Sequence, residues 1–176
     1  MAQPIFLVGM MGAGKTTLGK ALAQRLEREF VDTDRILVQR TGVTVATIFE
    51  IEGEDGFRRR EQAVLAELAG HPDCVVATGG GAVLCAENRE LMRAHGTVIY
   101  LRAKLDSLWE RTRHDTHRPL LKTSDPRATL AELLEARDPL YREAAHLVVD
   151  TGFQSATTLV GRVVAALSQR SSGAAA

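Results

Sequence analysis

The stretch "IFLVGMMGAGKTT", Ile5 to Thr17, decides how this chain folds. Its four apolar residues predict a short buried strand, and the next nine match the pattern G-x-x-x-x-G-K-[ST] of a P-loop. In this pattern, glycines let backbone N–H groups converge on phosphate oxygens, and the following helix presents its positive end to them. We expect Lys15 to reach the outer phosphates and the Thr16 hydroxyl to reach Mg²⁺.

The rest of the chain alternates short apolar runs with helical periodicity, which is typical of a parallel α/β sheet. We predict five strands, at Ile5–Val8, Phe30–Val31, Val75–Ala77, Val98–Leu101 and Leu147–Val149. We predict helices at Thr16–Arg28, Arg35–Arg40, a pair across Val45–Ala69, Glu87–His95, Leu105–Arg113, Ala128–Arg137 and Ser155–Ser168. The length of 176 residues suits one domain over 1–170, with a disordered tail at 171–176.

The charge balance gives no reason to expect a nucleic-acid or membrane surface. Lysine plus arginine and aspartate plus glutamate each number 22, and no apolar run approaches the roughly 18 residues of a membrane span. Cys74 and Cys85 have neither a CxxC spacing nor histidine partners spaced for zinc. We therefore expect both to be reduced thiols. We expect a monomeric cytoplasmic protein in which a local site, and not the overall charge, binds any anionic ligand.

The second predicted strand opens the stretch "FVDTDR", which places Asp32 and Asp34 two residues apart. In an extended segment this spacing points both carboxylates to one side. One carboxylate would hold a magnesium-bound water, and the other would accept the proton of an attacking hydroxyl. The alternative is that Thr33 or Asp34 caps the following helix, and the two interpretations are compatible.

Three further segments carry candidate arginines. In "GFRRREQ", Arg58 is best placed to be held by a carboxylate of its own helix, because Glu61 follows three residues later. The polar loop "HDTHRPLL" carries Arg118 and has the length of a lid over about 112–125. His114 and His117 in that loop lack further ligands for a metal. In "ARDPLYREA", Arg137 stands at the end of a helix that Pro139 must disturb. For Arg58 and Arg118, the alternative is a solvated surface charge. For Arg137, the alternative is an ordinary helix terminus with favourable cations.

Six motifs in this order make the chain resemble the shikimate kinases: "GMMGAGKTTLG", "FVDTD", "FRRRE", "TGGGAV", "RPLL" and "RDPLY". The resemblance implies a three-layer α/β/α fold like that of the nucleoside-monophosphate kinases, with a five-stranded parallel sheet and a lid loop. It implies a transferase that moves the γ-phosphate of ATP to the 3-hydroxyl of shikimate, giving shikimate 3-phosphate and ADP. This reaction belongs to chorismate and aromatic amino-acid biosynthesis.

The same resemblance assigns roles to residues by position. It implies a phosphate cradle formed by Gly12, Ala13, Gly14, Lys15, Thr16 and Thr17. Lys15 and Arg118 would act on the transferring phosphate, with Asp34 binding the acceptor hydroxyls and serving as base. Mg²⁺ would be held by Thr16 directly and by Asp32 through water. Arg58 and Arg137 would clamp the substrate carboxylate. Arg111 would cover the adenine, and Gln154, after the last predicted strand, would contact it.

The triple glycine in "VVATGGGAV" is then left for the second substrate, since the P-loop already supplies a phosphate cradle. Three glycines at the carboxyl end of a strand let bare backbone approach a small ligand. We expect Gly79, Gly80 and Gly81 to form the floor of the shikimate site, with Gly80 in direct contact. Two alternatives stay open: a P-loop kinase resembling gluconate kinases, and a non-catalytic sensor that binds ligand without turnover.

Overall fold

The computed structural model describes residues 3–116, 118–152 and 154–173. Within them, a five-stranded sheet is packed between helices. The strands are β1 (Ile5–Val8), β2 (Glu29–Asp32), β3 (Cys74–Ala77), β4 (Thr97–Arg102) and β5 (Leu147–Asp150). The α-helices are α1 (Lys15–Leu26), α2 (Thr33–Thr41), α3 (Val45–Leu68), α4 (Ala86–His95), α5 (Leu105–Thr112), α6 (Pro126–Ala144) and α7 (Ala156–Gly173). The predicted α/β fold with a five-stranded sheet is confirmed.

All four strand pairings are parallel, in the order β2-β3-β1-β4-β5. β1 is central and wholly buried, as its unbroken apolar sequence predicts. The chain proceeds to β2 and β3 on one side of β1 and to β4 and β5 on the other. A crevice therefore opens at the carboxyl end of β1, where ligands of open α/β sheets bind.

The predicted pair of helices over Val45–Ala69 is confirmed, because α3 consists of two helical segments that meet at Gly53, where φ is 70°, ψ is −179° and the backbone is not helical. The bounds of α6 differ from the prediction in a way that affects the site. α6 does not end at Arg137 as predicted but continues through Pro139 to Ala144. Buried residues on both sides of the proline, Leu130 and Tyr141 among them, pack this helix against the core. That packing offsets the roughly 3 kcal/mol by which an interior proline disfavours a helix.

At the carboxyl terminus, α7 continues to Gly173, three residues into the segment predicted as a tail. The remaining three residues of that segment lie outside the described residues. Across the described ranges, no helix combines the length and the apolar character that crossing a membrane requires. Cys74 and Cys85 are both free thiols.

Candidate active site

The P-loop connects β1 to α1 through three glycines with positive φ. Gly9 has φ 147°, Gly12 has φ 78°, and Gly14, which precedes the first turn of α1, has φ 95°. Residues with a Cβ are strained in this region, so glycine is required for the turn. No side chain of the described residues caps α1. The first N–H groups of the helix are therefore left to an anionic ligand, together with the positive end of its dipole.

A cavity of about 310 Å³ lies over this turn, and we call it the phosphate cavity. Its lining includes Gly12, Gly14, Lys15, Thr16, Thr17, Asp32, Asp34, Gly79, Gly80 and Arg118. The Lys15 ammonium donates to the carbonyls of Gly9 at 2.7 Å and Met10 at 2.9 Å. Burial lowers the pKa of Lys15 to about 8, and the Asp34 carboxylate opposes that shift. Most of the lysine is therefore still cationic at neutral pH.

Asp32 and Asp34 both reach the phosphate cavity, but not by the predicted strand geometry. Asp32 ends β2, whereas Asp34 already lies in the first turn of α2. The helix starts two residues earlier than predicted because Asp32 caps it, accepting from Arg35 N–H at 3.2 Å. The alternative of a cap at Thr33 or Asp34 is therefore wrong. The Thr33 hydroxyl instead accepts from Gly79 N–H at 3.1 Å, which ties α2 to the glycine turn.

The Asp34 carboxyl has the electrostatics of a proton acceptor. Its Oδ1 is buried and has no hydrogen-bond partner among the described residues. Burial raises its pKa, and the neighbouring Asp32 raises it further, while Lys15 and Arg58 oppose both effects. An unpaired carboxylate oxygen with a raised pKa is suited to accept a proton from a hydroxyl within hydrogen-bond distance of it.

No group of three or more histidine, cysteine, aspartate or glutamate side chains in the described ranges is arranged to hold a metal ion. His117 lies outside the described residues. The Thr16 hydroxyl and the Asp32 carboxylate do meet at the cavity edge, with Oγ1 and Oδ2 at 3.3 Å. Two hard oxygen ligands beside a phosphate site fit Mg²⁺, which takes its other ligands from water and phosphate.

A second cavity of about 380 Å³ adjoins the first, and we call it the acceptor cavity. Both cavities are lined by Met11, Asp34, Gly79, Gly80 and Arg118. The acceptor cavity is also lined by Val45, Phe49, Phe57, Arg58, Glu61, Gly81, Leu120 and Arg137. Phe49 and Phe57 stack with centroids 4.5 Å apart and give it an apolar wall. Cationic and acceptor groups thus share one small space with a flat apolar surface.

Arg58 is held by carboxylates of its own helix, as predicted. Its Nη1 donates to Glu61 at 2.8 Å, and its Nη2 donates to Glu54 at 3.3 Å. Glu61 was predicted only as this partner, but the residue is itself fully buried and lines the acceptor cavity. Burial raises the pKa of Glu61, and the Arg58 guanidinium opposes the shift. The pair therefore fixes the guanidinium at the wall of the cavity.

Arg137 is 4% exposed and lies inside α6, not at a helix end. Its Nη1 would be 3.6 Å from a Cβ placed on Gly80, so it borders the glycine turn. A buried arginine must be paired or meet an anion. Its guanidinium and that of Arg58 face the same glycine turn, and a carboxylate between them would receive two charge-assisted contacts.

The triple glycine is required for space and not for backbone conformation. None of Gly79, Gly80 and Gly81 is among the glycines with positive φ. A Cβ on Gly79 would lie 2.6 Å from Glu61 Oε1, and one on Gly81 would lie 2.7 Å from Arg58 Cζ. A Cβ on Gly80 would make ordinary contacts of 3.5 Å and more. The first and third glycines thus admit the Arg58–Glu61 pair, a role that the sequence did not reveal.

The remaining predicted residues lie at the rim. Arg118 donates to Asp115 at 2.7 Å and lines both cavities. Arg111 is exposed on α5, and its Nη1 donates to the Gly12 carbonyl at 3.0 Å, beside the P-loop. Gln154 is exposed, and its Oε1 accepts from Arg162 at 2.8 Å. It is not among the residues that line either cavity.

Comparison with known proteins gives one consistent result. Residues 11–168 match the family model described as shikimate kinase. The shikimate kinase of Nitrosospira multiformis is 63% identical over 151 residues, which are 86% of this chain and 77% of that protein. A solved structure of shikimate kinase from Acinetobacter baumannii in complex with shikimate has a TM-score of 0.93 at 45% identity, covering 97% of this chain and 95% of that one.

A more distant likeness shows how far the fold itself extends. A gluconokinase from Sinorhizobium meliloti has a TM-score of 0.62 at 19% identity, with 98% of this chain and 95% of that chain covered. At this identity the likeness concerns the fold alone. The choice between acceptors therefore depends on the residues of the acceptor cavity.

Proposed function

The chain belongs to the shikimate kinase family and is an ATP-dependent kinase that phosphorylates shikimate, and we propose that its phosphate cavity holds ATP while its acceptor cavity holds shikimate. The reaction moves the γ-phosphate to the 3-hydroxyl and yields shikimate 3-phosphate and ADP. The product serves aromatic amino-acid biosynthesis through chorismate.

The observation that carries the assignment of the cavities is the distribution of charge in the acceptor cavity. Arg58 and Arg137 border the glycine turn on one side, and the Asp34 carboxylate stands where this cavity meets the phosphate cavity. Shikimate is a small ring with one carboxylate and three hydroxyls. Its carboxylate would lie between the arginines, its ring against Phe49 and Phe57, and its hydroxyls at Asp34.

On the nucleotide side, the N–H groups of Gly12, Ala13, Gly14, Lys15, Thr16 and Thr17 would bind the phosphates, with the Lys15 ammonium on the transferring group. Mg²⁺ would be held by the Thr16 hydroxyl and, through water, by Asp32, and it would supply charge neutralisation at the phosphate oxygens. Arg111 would cover the adenine from α5, and Gln154 would contact it from the loop after β5.

In the proposed mechanism, Asp34 accepts the proton of the 3-hydroxyl while that oxygen attacks the γ-phosphorus. A new O–P bond forms, the bond between the γ-phosphorus and the bridging oxygen breaks, and the electron pair leaves with ADP. Phosphoryl transfer depends mainly on positioning and on charge stabilisation. Lys15 and Arg118, which both line the phosphate cavity, would supply that stabilisation, with Arg118 carried by a lid at about 112–125.

We also propose that residues 1–170 act as one domain, as a monomer, in the cytoplasm. Two free thiols are compatible with a reducing compartment. Size-exclusion chromatography with light scattering would test the oligomeric state, and a dimer would contradict this part of the proposal.

The decisive experiment is ADP release by the purified chain with ATP alone, with shikimate and with gluconate. We expect turnover with shikimate and only background otherwise. Turnover with gluconate would favour the alternative kinase. Shikimate binding without transfer in a single-turnover assay would favour the sensor.

A further inference from the structure

Tyr141 is a buried polar residue to which the proposed mechanism gives no role. It lies on α6, one turn after Arg137, and is 0% exposed. Its ring stacks on Tyr100 with centroids 4.9 Å apart. In the sequence it is the last residue of the "RDPLY" motif. A buried tyrosine hydroxyl needs a hydrogen-bond partner, and the identity of that partner shows what the residue holds.

The hydroxyl of Tyr141 contacts the two loops that form the active site. It donates to the Gly80 carbonyl at 2.5 Å and lies 3.6 Å from Met10 Sδ at the start of the P-loop. Burial raises the pKa of Tyr141 to about 12, and the neighbouring Arg137 guanidinium opposes this shift by its charge and by hydrogen bonding. The hydroxyl therefore keeps its proton at neutral pH and can donate to the glycine turn.

The neighbouring carbonyls of the turn are bound by other donors. The Gly79 and Gly81 carbonyls accept from Ala82 N–H at 3.1 Å and Leu84 N–H at 3.0 Å. The Ala82 carbonyl accepts from Asn88 at 3.0 Å. Among the described residues, the donor to the Gly80 carbonyl is Tyr141. A peptide between two glycines has little else to fix its rotation, because neither residue carries a side chain.

The direction of that peptide matters for the acceptor cavity. The Gly80 carbonyl and the Gly81 N–H belong to one planar trans peptide, so they point in opposite directions. Tyr141 does not line the acceptor cavity, whereas Gly80 and Gly81 do. With the carbonyl turned toward Tyr141, the opposite side of the peptide presents the Gly81 N–H. No acceptor for that N–H is present in the described part of the chain.

We propose that Tyr141 is a positioning residue for shikimate: its hydroxyl holds the Gly80–Gly81 peptide so that the N–H group serves the substrate. The proposal rests on the proposed function, because it takes the acceptor cavity as the shikimate site. Arg137 is four residues away on the same helix. The same segment of α6 thus positions both the Arg137 side chain and the glycine turn.

The test is Tyr141→Phe in the full chain, compared with Tyr100→Phe. Each change removes one phenol hydroxyl and keeps the stacked ring. The Tyr100 hydroxyl, however, donates to Asp138 at 2.7 Å, and Asp138 lines neither the phosphate cavity nor the acceptor cavity. For Tyr141→Phe, we expect KM and Kd for shikimate to rise about three- to tenfold, as for the loss of one hydrogen bond. We expect KM for ATP to change less than about twofold, and Tyr100→Phe to leave both constants near wild type.

An unchanged shikimate affinity in Tyr141→Phe, or an equal loss of affinity for both substrates, would overturn the proposal. Failure of the proposed function looks different, because the wild-type chain would then not turn over shikimate at all. If Tyr141→Phe does not fold, 3-fluorotyrosine labelling replaces it, since the chain has only two tyrosines. In labelled Tyr100→Phe, the remaining ¹⁹F resonance should shift when shikimate is added, and an unmoved resonance would refute the positioning role.

Discussion

A methyl group at Gly81 should lower the affinity for shikimate by displacing Arg58. A Cβ there would lie 2.7 Å from both Arg58 Cζ and Nη1, too close for any real contact. The backbone itself tolerates alanine, because φ at Gly81 is −97°. The end of the arginine must therefore move, and with it the contacts that Glu61 and Glu54 give it.

The expected magnitude follows from the contact that is lost. A hydrogen bond between charged groups contributes about 1.5 to 3 kcal/mol. We therefore expect Gly81→Ala to raise KM for shikimate about ten- to a hundredfold, with KM for ATP nearly unchanged. Arg58→Ala should have an effect of the same size, because it removes the same guanidinium. The pKa of its buried partner Glu61 should then rise further, since Arg58 no longer opposes the effect of burial.

A double-mutant cycle, read out as KM for shikimate and as Kd by calorimetry, tests whether the methyl group acts through Arg58. With the arginine truncated, the space beside Gly81 is free, so adding Gly81→Ala to Arg58→Ala should cost little more. Gly161→Ala is the control, because a Cβ there meets nothing within 4 Å. Additive losses in the double variant would refute the reasoning, since the methyl group would then act on the ligand or on the fold.

Three further outcomes can be measured with the same protein. Lys15→Ala should lower kcat by at least about a hundredfold while shikimate Kd stays near wild type, and unchanged turnover would contradict the role of the ammonium. Chelation of Mg²⁺ by EDTA should abolish turnover reversibly but leave shikimate binding intact; full activity in EDTA would exclude the proposed role of Thr16 and Asp32. Burial, with Arg170 and Arg93 adding to it, lowers the pKa of His146 from 6.5 to about 4, and its Nδ1 accepts from Val98 N–H at 3.0 Å. Below pH 6.5, His146 binds a proton in the unfolded chain but not in the folded chain. The free energy of unfolding should therefore fall as the pH drops from about 6.5 toward 4. His146→Asn keeps an acceptor but does not titrate, so its Tm should fall less over this pH range than that of the wild type. Equal slopes of Tm against pH in the two proteins would refute this.

The parts of the molecule that local rules govern could be predicted from the sequence. The P-loop lies within one strand–turn–helix segment, and the structure has its strand at Ile5–Val8 and its helix from Lys15. The Arg58–Glu61 pair was also predicted, because residues three apart on a helix are neighbours. α6 was predicted too short because Pro139 was weighed by its local preference, which buried residues beyond the proline outweigh.

Contacts between segments distant in sequence could not be predicted in this way. Asp32 and Asp34 were expected on one side of a strand, but they share a cavity because the chain turns into α2 between them. The contact between Tyr141 and Gly80 joins residues 61 positions apart. Nothing in either motif specifies the other, and only the packing of α6 against the turn brings them together.

The three glycines of the triplet were expected to serve one purpose, but their surroundings differ. A single need, such as approach of backbone to a ligand, would give all three positions the same environment. Instead, Glu61 and Arg58 fill the space beside Gly79 and Gly81, and the space beside Gly80 is open to ordinary contacts. Two of the glycines therefore bring a buried ion pair up to the turn. Direct contact with substrate is left to the peptide that Tyr141 holds, so alanine at position 80 and alanine at position 81 should weaken shikimate binding for different reasons. Only the effect at position 81 should vanish when Arg58 is removed.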